Sequence, residues 1–252
     1  MKIKIINPNT THTVTEAMAR IAADIVSPGT AIVAASPQFG PPAIEGFYDE
    51  AFAAIGVLDE VRNGDAEGCD GYVIACFGDP GLAAARELTP RPVVGIAEAA
   101  MQIAGFLGTS FTIISMVERV RPMLDRVVAA NAMGERCRSI RMVGIPLLDF
   151  DGEGCRALVE TCRAAVVEDR AECIVLGSGG LAAYADTIGR EVGVPVIDGV
   201  AAAVKTVETL VTLGLATSKR QSYAFPPSKT YTGSFEGFSP RPPAAGAVGA
   251  RP

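Results

Sequence analysis

Short apolar runs rich in β-branched residues alternate along the chain with segments of helical periodicity roughly ten to fifteen residues long. The runs predict strands at residues 3–6, 31–34, 72–75 and 93–95, and again at 111–115, 139–143, 173–176 and 194–197. Each group of four strands is separated by helix-patterned segments, as in a parallel α/β sheet. The pattern is also nearly written twice. Residues 71–100, GYVIACFGDPGLAAARELTPRPVVGIAEAA, are echoed by residues 172–203, ECIVLGSGGLAAYADTIGREVGVPVIDGVAAA. Self-similarity over that length predicts two pseudo-two-fold related, Rossmann-like parallel α/β halves with an active site in the cleft between them. The halves fall at residues 1–98 and 99–215. Residues 216–235 are expected to form a C-terminal extension packed back on the body. Residues 236–252, EGFSPRPPAAGAVGARP, lack apolar periodicity and are rich in Pro, Gly and Ala, which predicts a disordered tail.

In open parallel sheets, ligands sit beyond the carboxyl ends of the strands, where the βα turns gather. The turns expected there are Asn7-Pro8-Asn9-Thr10-Thr11, Cys76-Phe77-Gly78-Asp79-Pro80-Gly81, Ser115-Met116-Val117 and Ser178-Gly179-Gly180. The repeat places Cys76 and Ser178 at matching positions, so a two-fold duplicated fold brings them face to face. A thiol beside backbone N–H groups that open a helix is expected to have a lowered pKa and to act as base or nucleophile. The same N–H groups can stabilise an oxyanion. Gly78, Gly179 and Gly180 would let a substrate approach the backbone closely. The competing interpretation of Cys76 is a small buried apolar residue. The other five cysteines fit that second role: Cys173 inside a strand, Cys155 and Cys162 on one helical face, and Cys69 and Cys137 near element ends.

Asp79 before Pro80 reads as the N-cap of the helix that follows, with Pro at its first position. Asp198, and Thr10 or Thr11, are expected to cap the helices they precede. Asn7 and Asn9 exceed what a cap requires and are candidates for substrate contact. His12, the single histidine, falls one turn into a helix and is expected in solvent, which disfavours a Cys/His dyad.

Composition narrows the function classes. The chain has 252 residues, 49% hydrophobic, enough for a full core. Its 27 glycines exceed the roughly 7% usual and suit tight βα turns. Lys and Arg number 22 against 28 Asp and Glu, a net charge of −6, which offers no basic patch to nucleic acid or anionic lipid. No apolar run approaches the ~18 residues of a membrane span, and MKIKIINPNTT is a strand and a turn rather than a leader. The six cysteines make no C-x-x-C or Cys/His pair, so a metal site is not expected. A cytoplasmic, reduced protein is the plain expectation. No Lys or Arg falls within the four turns, which favours a neutral or singly charged ligand.

The NPNTT opening, the ACFGDPG turn, PVVGIAEAA, and IVLGSGGLA with PVIDGVAAAVK together resemble the hydantoin racemase and allantoin racemase family, within the aspartate/glutamate racemase superfamily. The likeness runs from Met1 to about Gly233. It implies a cofactor-independent, homo-oligomeric racemase in which two cysteines flank a stereocentre next to a carbonyl. One removes the proton and the other delivers one to the opposite face, while backbone N–H groups hold the enolate oxygen. By motif, Cys76 is the first thiol, Phe77, Gly78, Gly179 and Gly180 are the amide donors, and Asn9, Ile44, Glu45, Gly46 and Ser115 line the pocket. Ser178 stands where the family carries its second cysteine. A hydroxyl is a poor base without an activating partner. Three explanations stay open: a cysteine deliberately replaced, a member whose chemistry has shifted, or a site where another group supplies the second proton. The alternatives to a one-sided racemase are a one-thiol decarboxylase or isomerase of the same superfamily, and a non-catalytic binder of cyclic ureides.

Overall fold

The computed structural model describes residues 1–146 and 152–240. Its strands are β1 (Lys2–Ile6), β2 (Ala31–Ala35), β3 (Gly71–Ile74), β4 (Val93–Gly95), β5 (Phe111–Ser115), β6 (Cys137–Met142), β7 (Cys173–Leu176) and β8 (Val196–Asp198). Between them run α1 (His12–Ile25), α2 (Phe47–Ala66), α3 (Leu82–Leu88), α4 (Ile96–Leu107), α5 (Arg121–Ala130), α6 (Gly152–Glu168) and α7 (Ala185–Val192), with α8 (Gly199–Thr212) last. The eight strands coincide with the predicted ones to within two residues at either end. They form two four-stranded parallel sheets, ordered β2-β1-β3-β4 and β6-β5-β7-β8. The second order is the first shifted by four strands, so the repeat in sequence is a repeat in topology.

Side-chain alternation explains how the sheets pack. Ile3, Ile5, Val73, Phe111, Ile113, Cys173 and Val175 point from both sheets into one continuous central core. Their neighbours point outward: Ile6, Tyr72 and Ile74 meet Val57 and Val61 of α2, whereas Ile114, Ile174 and Leu176 meet Leu158 and Cys162 of α6. Lys4 takes an outward position on a central strand and is buried, where Glu60 at 2.9 Å and Glu67 at 3.3 Å balance its charge. The helix that follows the last strand of each sheet also packs on the other sheet. α4 lies against β7 and α8 lies against β3 and β4, and the two helices pack on each other.

After α8 the chain returns over the first half. The Thr217 N–H donates to the Pro90 carbonyl, and Lys219 Nζ donates to the carbonyls of Arg86, Glu87 and Tyr223 near the end of α3. Residues 236–238, predicted to be tail, instead belong to a 3₁₀ segment, Gly233–Phe238. The reason is Phe238, whose ring packs edge-on against Phe39 under the Arg62 guanidinium. The rest of the predicted tail beyond residue 240 lies outside the described residues. No helix among the described residues is long and apolar enough to cross a membrane.

Candidate active site

β3 and β7 hold equivalent places in their sheets, and each runs on for one residue before a turn. Cys76 and Ser178 stand two residues past the ends of these strands and line the same cavity of about 130 Å³. One water needs roughly 10–15 Å³ by the same measure, so the space suits a small molecule. Asn9, Ile44, Glu45, Phe77, Gly78, Ser115, Gly179 and Gly180 also line it.

Gly46 is not among the lining residues. It is the N-cap of α2, and a Cβ built on it would lie 3.6 Å from the Arg119 guanidinium. The motif likeness also did not single out most of the apolar walls: Val14 and Met18 from α1, Val120 just before α5, and Met123 and Leu124 from α5. Helical periodicity marks these residues as inward-facing, but it does not tell a cavity wall from a filled core. Among the described residues, no Lys or Arg lines the cavity.

The β1–α1 turn is held together by its own asparagines. The buried Asn7 side chain donates to Asn9 Oδ1 and Thr15 Oγ1, both at 2.9 Å. Asn9 Oδ1 also accepts from the Thr11 N–H at 2.9 Å. Asn7 is therefore a scaffold residue, while Asn9 still faces the cavity. Thr11 occupies the N-cap of α1 without capping it, because its hydroxyl donates instead to the Pro42 carbonyl at 2.7 Å. Ser115 donates its hydroxyl to the Gly177 carbonyl at 3.0 Å, which fastens β5 to the turn that carries Ser178.

The Cys76 turn departs from the sequence expectation in two ways. The helix after it begins only at Leu82, with Gly81 as N-cap, so its N–H groups open well past the thiol. Enclosure by the cavity walls pushes the thiol up to about 12, and the Asp79 and Glu50 carboxylates push the same way. The Gly78 N–H, which meets the sulfur, opposes them. Cys76 therefore rests as a thiol rather than as the expected thiolate.

Asp79 is the second departure. Its backbone is left-handed, at φ 46°, and its carboxylate caps a different helix from the one it precedes. Oδ1 accepts from the Ala97 N–H at 3.1 Å and Oδ2 from the Glu98 N–H at 3.0 Å, which closes the start of α4. Burial, with Glu98 nearby, raises this carboxyl to about 7. In the second half Asp198 caps α8 from the N-cap position itself, accepting from Val200 and Ala201, as predicted. His12 is exposed at the start of α1, away from this cavity's walls.

Comparison with known proteins yields one family and several full-length relatives. Residues 3–207 match the model of a family described as Asp/Glu/Hydantoin racemase. The chain is 45% identical to a hydantoin racemase of Pseudomonas sp. (strain NS671), over 94% of this chain and 97% of that protein. It is 43% identical to a hydantoin racemase of Paenarthrobacter aurescens, over 92% of this chain and all of that one. Among solved structures, allantoin racemase from Klebsiella pneumoniae superposes with a TM-score of 0.93 at 45% identity, covering 96% of this chain and 100% of that chain.

Proposed function

Because this chain belongs to the Asp/Glu/hydantoin racemase family, we propose that it is a cofactor-independent isomerase of 5-substituted hydantoins in which one face of the stereocentre is served by Cys76 and the other by Ser178. The observation that carries this reading is the cavity itself. A thiol and a hydroxyl at the matching ends of β3 and β7 line one small space, as acid–base chemistry on two faces of a carbon requires.

Cys76, once its resting thiol has released its proton to solvent, takes the proton from the carbon next to the carbonyl as thiolate. The C–H electron pair moves onto the carbonyl oxygen, and the resulting enolate is met by backbone N–H groups of Phe77, Gly179 and Gly180. The Gly78 N–H is engaged with the sulfur and serves to stabilise the thiolate. Return of a proton from Cys76 restores the starting enantiomer. Inversion needs a proton on the far face, where Ser178 offers a much weaker acid and base than a thiol. The activity is thus one-sided: fast exchange of one enantiomer and slow racemisation. Val14, Met18, Val120, Met123 and Leu124 give an alkyl substituent an apolar wall.

The test pairs optical rotation with solvent deuterium incorporation, for each enantiomer of a 5-alkylhydantoin and of allantoin. The protein is expected to exchange one enantiomer without racemising it, Ser178→Cys to racemise both, and Cys76→Ala to do neither. If neither the protein nor Ser178→Cys exchanges any compound, the hydantoin reading fails. A second reading then gains ground from the resting protonation of Cys76. A stored thiol proton is what an enolate formed by loss of CO₂ would need, and release of CO₂ from a 2-substituted malonate would establish that reading. Saturable ureide binding without exchange would instead mark a binder.

A further inference from the structure

We infer that Asp79 is a positioning residue that sets the spacing between the two faces of the cavity, a role distinct from capping a helix. The inference rests on the reading of Cys76 as the proton-transfer thiol. Three contacts form a chain. The Asp79 N–H donates to the Cys76 carbonyl at 2.9 Å, which closes the turn whose Gly78 N–H meets the sulfur. The Asp79 carboxylate holds the Ala97 and Glu98 N–H groups at the start of α4. The residue before them, Ile96, packs behind the other turn: a Cβ built on Gly179 would stand 3.5 Å from Ile96 Cδ1 and 3.5 Å from the Ala75 carbonyl. One carboxylate thereby ties the Cys76 turn to the helix that backs Gly179, the residue after Ser178.

The second half shows that a helix start in this fold does not need this arrangement. Asp198 caps α8 from position 198 with φ −84° and ψ 126°, and Gly95, its counterpart before α4, has nearly the same backbone, φ −84° and ψ 148°. An aspartate at 95 could therefore cap α4 locally. It is kept out because its Cβ would fall 2.2–2.5 Å from the Asp79 carboxyl atoms. Asp79, in turn, holds a left-handed backbone that non-glycine residues adopt at a cost. A strained residue and a forced glycine are what the simpler cap would remove, and what the bridge between turns requires.

The experiment is a cap transplant. Asp79→Gly combined with Gly95→Asp keeps a carboxylate on the start of α4 and cuts its link to the Cys76 turn. Three quantities are compared in the transplant, Asp79→Ala and the unmodified protein: the urea midpoint, the rate of Cys76 alkylation by iodoacetamide, and kcat and KM for hydantoin deuterium exchange. The expected result is that Asp79→Ala lowers the midpoint and the transplant restores it. In the transplant, alkylation nevertheless stays at least tenfold faster than in the unmodified protein, and exchange kcat stays about tenfold lower with KM little changed. Full recovery of alkylation rate and kcat along with the midpoint would overturn the inference and leave Asp79 a helix cap. If Asp79→Ala does not fold, the transplant against the unmodified protein still decides. If the unmodified protein exchanges no hydantoin, the functional reading fails, while the alkylation comparison still judges Asp79.

Discussion

Cys76 should be among the least reactive thiols that a small reagent can reach in this protein, and the size of the effect follows from its surroundings. Its pKa lies near 12 against an ordinary 9.0, because enclosure and the carboxylates of Asp79 and Glu50 outweigh the single Gly78 N–H. At pH 8 an ordinary thiol is roughly one-tenth ionised, while Cys76 is ionised to about one part in 10⁴, so its alkylation is slower by about 10³. Iodoacetamide labelling, followed by mass spectrometry of the peptide carrying Cys76, gives the rate at each pH. The logarithm of that rate is expected to climb with unit slope from pH 7 past pH 10 without levelling. Glu50→Gln, which removes a facing carboxylate and frees its partner Arg126, should raise the rate at fixed pH. A plateau at or below pH 9 would refute the reasoning, since the Gly78 N–H and local dipoles would then dominate over burial. That outcome would also favour a resting thiolate base over a resting proton donor.

Two further predictions concern the scaffold. Asp169 is held down to about 2, from 3.8, chiefly by its bonds to Arg141 and further by Ser139 and Thr112. A lowered folded-state pKa contributes stability that is present above 3.8 and lost as pH falls through 2, so Asp169→Asn should cost about 2 kcal/mol near neutrality and progressively less below pH 4. Urea titrations of both proteins across pH 7 to 2 test this, and a deficit independent of pH would refute it. Gly177→Ala places a Cβ 2.7 Å from Ile113 Cγ2 and 3.1 Å from the Ile114 carbonyl, at the root of the Ser178 turn. Overpacking there should cost about 1–3 kcal/mol and lower Tm by several degrees. An unchanged Tm would show that the two strand ends slide apart freely.

The eight strands were legible because apolar runs bounded by small-residue turns leave little else for buried parallel strands to be, and the repeat in sequence foretold the repeat in sheet order. Cys76, Ser178 and the turn residues of the cavity lining were legible for a different reason: the repeat and the strand-end turns single them out, and motif likeness adds Ile44 and Glu45. What sequence could not show is where a side chain reaches once the chain has folded. Asp79-Pro80 has every local mark of an N-cap, yet the left-handed turn at Asp79 sends its carboxylate to α4, 18 and 19 residues on. Thr11 likewise sits at a cap position and spends its hydroxyl on Pro42, a contact set by the loop after β2. The thiol's proton affinity was misjudged on the same ground. A helix N-terminus was expected to begin beside it, and the turn through Gly81 moves that helix away.

The packing of α4 and α8 against both sheets bears on how a ligand gets in. Ile96 at the start of α4 and Val200 and Val204 of α8 are fully buried in the core shared by both sheets, alongside Val73 and Val175. Gly199 meets Ile96 so closely that a Cβ there would lie 2.8 Å from its carbonyl oxygen. Swinging one half away from the other would have to uncover such side chains, at roughly 1.5–3 kcal/mol each, and would break the packing of α4 on α8. Opening by that route is expensive even for three or four of them. The walls formed by Ala43, Ile44 and Glu45 on one side, and by Val117 and Val120 on the other, lie outside that central packing or only partly buried against it. Glu45 is exposed, and the other four are partly so. Displacing these segments uncovers less apolar surface than parting the halves. The geometry of Cys76 and Ser178 can therefore stay fixed while the mouth of the cavity yields.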